Sequence, residues 1–174
     1  VARMNDLKPE QKAAATNLKL TGQLSTSGNS DFRQLRDLCY QLRHVDLSLA
    51  DCENIPNNAF HSRPVLETIV LPTQVKSIGS QAFFACHSLR NITLPKSVTR
   101  VGDAAFSSCE NLKEITIEGN PMLGEFAFAR LKGLRTVRVN AAEPPVAAVS
   151  AFEGIDRKKV KLIVPRGSEL KYRK

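Results

Sequence analysis

Three histidines, His44, His61 and His87, and four cysteines, Cys39, Cys52, Cys86 and Cys109, are the side chains best suited to metal or nucleophile chemistry. Their spacing argues against both. A tetrahedral zinc site draws ligands from closely paired segments such as CxxC, and none of the seven stands in such a pair. A catalytic centre needs a base within reach of a nucleophile. His87 does follow Cys86, but 23 residues further on the same pair reads Cys109-Glu110, which marks the second position as variable surface. His44 and Asp46 share one face of a strand and nothing more. The cysteines read as small buried residues, with a Cys86–Cys109 or Cys39–Cys52 bridge open only to an exported chain. Every glycine is isolated, so no phosphate-cradling GxGxxG or GxxxxGK[ST] loop exists. No enzyme activity, no cofactor and no metal are expected.

Charge is the other concentration of chemistry. The net charge is +8, and residues 156–174 hold eight basic against two acidic residues, so +6 of it sits in the tail. Arg157, Lys158, Lys159 and Lys161 form a candidate site for anionic ligands by salt-sensitive attraction. A specific nucleic-acid reader is disfavoured, because no recognition module or interleaving of aromatic with basic residues accompanies the charge.

The elements that position these residues follow from a period of 23. Leu66-Glu67-Thr68-Ile69-Val70-Leu71-Pro72 returns as Leu89-Arg90-Asn91-Ile92-Thr93-Leu94-Pro95, and Val75, Ile78, Gly79, Ala82, Phe83 and Cys86 return as Val98, Val101, Gly102, Ala105, Phe106 and Cys109. Further units open at Leu112 and Leu134, and weaker copies run from Leu42 to Phe60 and from Ala151 to Pro165. The LxxIxL stretch is a short strand that points Leu and Ile inward and the intervening residues to solvent. A single unit cannot bury its inner face, whereas stacked units bury a continuous core. The Ala-Phe pairs ending at Phe60, Phe83, Phe106, Phe128 and Phe152 predict an aromatic spine. Gly79, Gly102 and Gly124 are expected at positive φ, followed by Ser80 and Asp103 as N-caps of a short helical turn that carries Ala-Phe. Two helices are expected before the array, one over residues 9–15 and one capped by Asp31 ahead of Phe32, Leu35, Leu38 and Cys39.

Leu-Pro, then Val-x-x-Ile-Gly, then Ala-Phe-x-x-Cys resembles the signature of BspA-type leucine-rich repeats, most clearly over residues 66–128. The resemblance extends to Leu18-Lys19-Leu20-Thr21-Gly22 and to Val160–Ser168, which is similar to the strand and turn near the end of such proteins from Bacteroidetes. Relatives continue past the counterpart of Tyr172 into a stretch with tryptophan, a residue absent here. The resemblance implies an α/β leucine-rich-repeat solenoid, a right-handed superhelix of short parallel strands and short helical turns with a helical N-terminal cap. The expected division is a capping segment with the first strand and helix (1–41), the repeat array (42–158) and a C-terminal strand with basic tail (159–174). It also implies export, with an extracellular or cell-surface location and the targeting segment absent from a chain that starts at Val1.

The outward side chains fall into two columns. One runs His44, Thr68, Asn91, Glu114, Thr136 and Lys161, the other Asp46, Val70, Thr93, Thr116, Arg138 and Ile163. They are polar, mixed in charge and almost free of aromatics, which suits a broad protein contact better than a sugar-stacking platform. Thr on a strand also follows from β-propensity alone. The reading is a monomeric, non-catalytic surface module for adhesion or for recognition of a protein or glycan, such as host matrix. The alternative is a passive scaffold or spacer, with charge-driven binding of anionic polymers at the basic end as a third. No apolar run is long enough to span a membrane as a helix.

Overall fold

The computed structural model describes residues 6–26 and 30–173. The chain folds as a solenoid of parallel strands with few helices. Strand β1 (Asn17–Gln23) pairs with β2 (His44–Asp51) and β2 with β4 (Thr68–Val70). The ribbon continues through β6 (Asn91–Leu94), β8 (Glu114–Ile117), β10 (Thr136–Val139) and β11 (Lys161–Ile163). A bond from the Arg90 amide to the Glu67 carbonyl, 3.2 Å, carries the ladder from β4 to β6. A second ribbon stacks β3 (Asn54–Ile55), β5 (Ser77–Ile78), β7 (Arg100–Val101) and β9 (Met122–Leu123).

Period-2 alternation explains the core. Leu66, Ile69 and Leu71 are buried, as are their repeats Leu89, Ile92, Leu94 and Leu112, Ile115, Ile117, while residues between them within the strands remain accessible. The spine forms as expected. Phe60, Phe83, Phe106, Phe128 and Phe152 stack face to face at centroid distances of 5.2, 4.9, 5.2 and 5.4 Å, all within 16° of parallel. Offset stacking at this spacing adds about 0.5–1.5 kcal/mol per pair to the burial itself.

The Ala-Phe segment is not a helical turn. Amides of Gln81, Phe83 and Ala85 donate to the carbonyls of Asp103, Ala105 and Ser107 in the next unit, at 2.7–3.0 Å. The alternate amides of Ala82, Phe84 and Cys86 close turns onto carbonyls three residues back, at 3.1–3.3 Å. The segment is therefore a third ladder of stacked turns between units. It forces the left-handed region on Gln81 (φ 55°) and Ala85 (55°), and on Ala104 (53°) and Ser108 (62°) one unit later. Each costs about 1–2 kcal/mol as a non-glycine residue, a cost offset by amides that would otherwise be buried unpaired.

This geometry corrects two expectations. Gly79, Gly102 and Gly124 have no positive φ; they are glycine because successive turns meet there. A Cβ on Gly102 would lie 2.6 Å from the Ser80 amide nitrogen, and one on Gly79 would lie 2.5 Å from that of Asn57. The capping side chains also act between units rather than within one. Asn57 Oδ1 accepts from the Ser80 amide (2.8 Å) and Asp103 Oδ1 from the Glu125 amide (3.0 Å).

Two helices precede the array, α1 (Pro9–Ala14) and α2 (Asp31–Asp37). Ser30, not Asp31, caps α2, accepting from the Arg33 amide at 3.2 Å, while Asp31 Oδ2 ties back the Ser25 amide at 2.8 Å. Phe32 from α2 stands edge-on to Phe60, with centroids 6.2 Å apart at 88°, and so covers the first ring of the spine.

Candidate binding face

All twelve residues of the two columns remain exposed or half-exposed. Parallel pairing without a bulge puts them in line. His44 pairs with Thr68 and Asp46 with Val70; Asn91, Glu114, Thr136 and Lys161 pair in succession, as do Thr93, Thr116, Arg138 and Ile163. β1 adds Asn17 beside His44 and Lys19 beside Asp46, an extension that sequence reading misses because β1 lacks the LxxIxL pattern.

Local bonds fix several of these groups. Lys19 Nζ lies 2.8 Å from Asp46 Oδ2, and hydrogen bonds from Lys19 and Ser48 pull the Asp46 carboxyl down to about 2. His44 Nδ1 meets Thr68 Oγ1 at 2.9 Å. Arg138 and Glu114 stand 3.9 Å apart across neighbouring rungs. One position before the strands, the largely buried Glu67 carboxylate holds both Arg43 and Arg90, the latter at 2.7 Å. The hydrogen bond from Arg43, more than the nearby charges, lowers its pKa.

The basic cluster spans a 3-10 helix and the last strand of the ribbon. Arg157 lines a 520 Å³ apolar cavity at the C-terminal end, together with Phe152, Val160, Leu162 and Tyr172. Lys158 and Lys159 lie in a 3-10 helix (Arg157–Lys159) whose cap, Asp156, accepts from the Lys158 amide and pairs with Lys159 at 3.1 Å. Lys161 belongs to the strand ribbon instead.

The cysteines and His61 pack against the repeat, whereas His44 and His87 are exposed. All four cysteines are buried free thiols. Cys86 Sγ donates to the Phe60 carbonyl and Cys109 Sγ to the Phe83 carbonyl, both at 3.1 Å, so each thiol ties one spine residue to the next unit. Burial pushes Cys86 up to about 12 and Cys109 well above the usual thiol range. His61 stacks on Phe84 at 5.1 Å, and its nearest hydroxyl is that of its chain neighbour Ser62. Among the described residues no cluster of three His, Cys, Asp or Glu could hold a metal, and no helix is long and apolar enough to cross a membrane.

The chain is similar to three solved bacterial proteins. A leucine-rich-repeat protein of T. pallidum is 30% identical over 59% of this chain and 50% of its own, with a TM-score of 0.53. One from Bacteroides ovatus is 20% identical (88% and 43% covered, TM-score 0.58), and the pneumococcal vaccine antigen PcpA is 21% identical (90% and 38%, TM-score 0.64). The chain thus spans half or less of the length of each. No curated protein matches it. Six copies of the BspA-type leucine-rich-repeat region match residues 53–162, and with strands, spine and turns recurring through that span the chain belongs to the BspA-type leucine-rich-repeat family.

Proposed function

We propose that this chain is a non-catalytic recognition module, exported to the cell surface or beyond, that binds a protein ligand through the outward columns of the strand ribbon. The observation that carries this reading is the register of those columns. Twelve side chains, polar for the most part and of both charges, stand in two files on a backbone fixed by stacking, so a partner meets them in register and little backbone ordering opposes binding. Their modest, mixed polarity suits a broad contact with charge complementarity rather than a deep small-molecule site. That a structurally similar protein is named a vaccine antigen supports a surface location.

Glu114→Lys and Arg138→Glu test the reading. The purified chain is screened against immobilised host matrix proteins, and each variant is then measured against every binder. Both variants are expected to lose about tenfold or more in affinity, the scale of one disrupted charge contact, with unchanged melting. A chain that binds nothing, or variants that bind every partner normally, would leave the ribbon as a passive spacer.

A further inference from the structure

The strand ribbon carries a third file of side chains, one position before the first of the two columns described above. Amide bonds from Lys113 to the Arg90 carbonyl (2.8 Å) and from Arg135 to the Lys113 carbonyl (2.9 Å) set Arg90, Lys113 and Arg135 on three successive rungs. The Lys161 amide bonds to the Arg135 carbonyl at 2.8 Å, so Lys161 follows on the fourth rung, displaced by one position. All four side chains are exposed. Parallel strands repeat at about 4.8 Å, so the file presents a cation at each step over roughly 14 Å.

Counter-charges are distributed unevenly along it. Glu67 takes Arg43 and Arg90, Glu110 takes Lys132 at 2.7 Å, Glu114 faces Arg138, and Asp156 takes Lys159. Lys113, Arg135 and Lys161 have no acidic partner among the described residues. The Arg135 guanidinium is instead held at the ribbon edge by the Leu134 carbonyl at 2.9 Å. Beside it a cleft of 200 Å³ brings Arg135 together with Lys132, Lys159 and the Asp156 carboxylate, which takes up the charge of Lys159 and leaves Arg135 as the cation there without an acidic partner among the described residues. The same asymmetry holds for the whole chain: residues 1–87 carry nine basic and eight acidic residues, residues 88–174 sixteen and nine, so +7 of the +8 lies in the second part.

From this ladder we infer a binding site for a linear anionic polysaccharide, sulfated or rich in uronic acid, laid across the rungs from Lys113 to Lys161 with an acidic group in the Arg135 cleft. One cation on each successive rung, with a one-position step at Lys161, matches a polymer that carries charge at regular intervals. A single-stranded nucleic acid would need aromatic platforms for its bases, and the outward residues of these strands include none. The site goes beyond the protein contact proposed above, and Lys113 and Arg135 stand outside the columns that contact uses.

Heparin is the probe, with duplex DNA and uncharged dextran as comparisons, on the whole chain at several salt concentrations. The Lys113→Gln/Arg135→Gln double variant is set against Lys96→Gln/Arg100→Gln, which removes equal charge from exposed residues beyond β6 and on the second ribbon. The ladder variant is expected to lose heparin affinity about tenfold or more at physiological salt, and the slope of log affinity against log salt should fall by about one per cation removed. The control is expected to stay within about twofold of the parent chain, and dextran is not expected to bind. Equal losses in both variants would reduce the effect to net charge and overturn the site. So would absence of heparin binding at low salt, and DNA bound as tightly with the same ladder dependence would overturn its assignment to a polysaccharide.

Discussion

At the N-terminal end of the stack, Phe32 closes the aromatic spine edge-on, and the α1 residue Lys12 is buried with its ammonium on Gln34 of α2 at 2.6 Å. At the C-terminal end Phe152 is half-exposed, Leu162 is 49% exposed, and the space beneath the last turn is the 520 Å³ apolar cavity. A short 3-10 helix (Lys171–Arg173) covers part of it, with the Tyr172 hydroxyl donating to the carbonyls of Ala141 (2.7 Å) and Glu143 (3.0 Å). In a solenoid each unit is stabilised by its two neighbours, so a unit packed on both sides must be held more tightly than one whose outer neighbour is a tail. The same Ala-Phe repeat therefore carries different weight at different places.

The largest test of that difference is a pair of truncations. Phe106 is fully buried between Phe83 and Phe128, so Phe106→Ala is expected to cost about 3–5 kcal/mol. Phe152→Ala removes a ring stacked on one side only, and its cost should be less than half as large because part of that surface already meets solvent. Urea unfolding of the two variants measures both values. Equal costs would show that the last turn is as well packed as the centre and would break the comparison.

The parts of this picture readable in the sequence are those that the period dictates. A 23-residue repeat of inward Leu and Ile leaves one register for the strands, so the spine and the two columns follow from Phe and Thr positions alone. The turn geometry is different. Gln81 and Ala85 occupy the left-handed region, yet neither residue type announces it, because the reason lies in amides that must reach the next unit. Gly79 and Gly102 announce a special backbone but leave its cause open, and the cause is close approach rather than φ. The cationic file is not legible in the sequence because Arg90 and Lys113 precede the strands, where periodicity assigns no face. The cluster at Arg157–Lys161 was legible as charge, but its division among cavity, cap and ribbon depends on a 3-10 helix that the residue types do not signal.

A smaller effect isolates the C-terminal closure. Tyr172→Phe keeps the ring in the cavity and removes only its hydroxyl, a loss of about 1 kcal/mol for hydrogen bonds of this kind. Because few other contacts hold the tail, the change should appear as local opening. Amide exchange is expected to quicken over β10 and β11 and stay unchanged over β2 and β4. A uniform rise along the chain would mean that the end does not open separately from the stack.

The smallest effect tests the opposite end and depends on pH. Asp46 is held at about 2 by Lys19 and Ser48, below the 3.8 of an unperturbed aspartate, so folding favours its ionised form. The resulting stability is fully present above about pH 4 and drains away as the pH falls toward 2, since protons then bind more readily to the unfolded chain. Lys19 and Asp46 join β1 to β2, so acid should loosen the first strand pair while leaving the spine intact. In Asp46→Asn the Lys19 contact loses its charge at every pH, and the variant should lack this part of the acid-dependent loss. The gap in melting temperature between parent and variant is therefore expected to be widest near neutrality and to narrow between pH 4 and 2. A gap that stays constant over that range would show that the Lys19–Asp46 pair adds nothing to the joining of β1, and that the well-covered end owes its order to Phe32 and the helices alone.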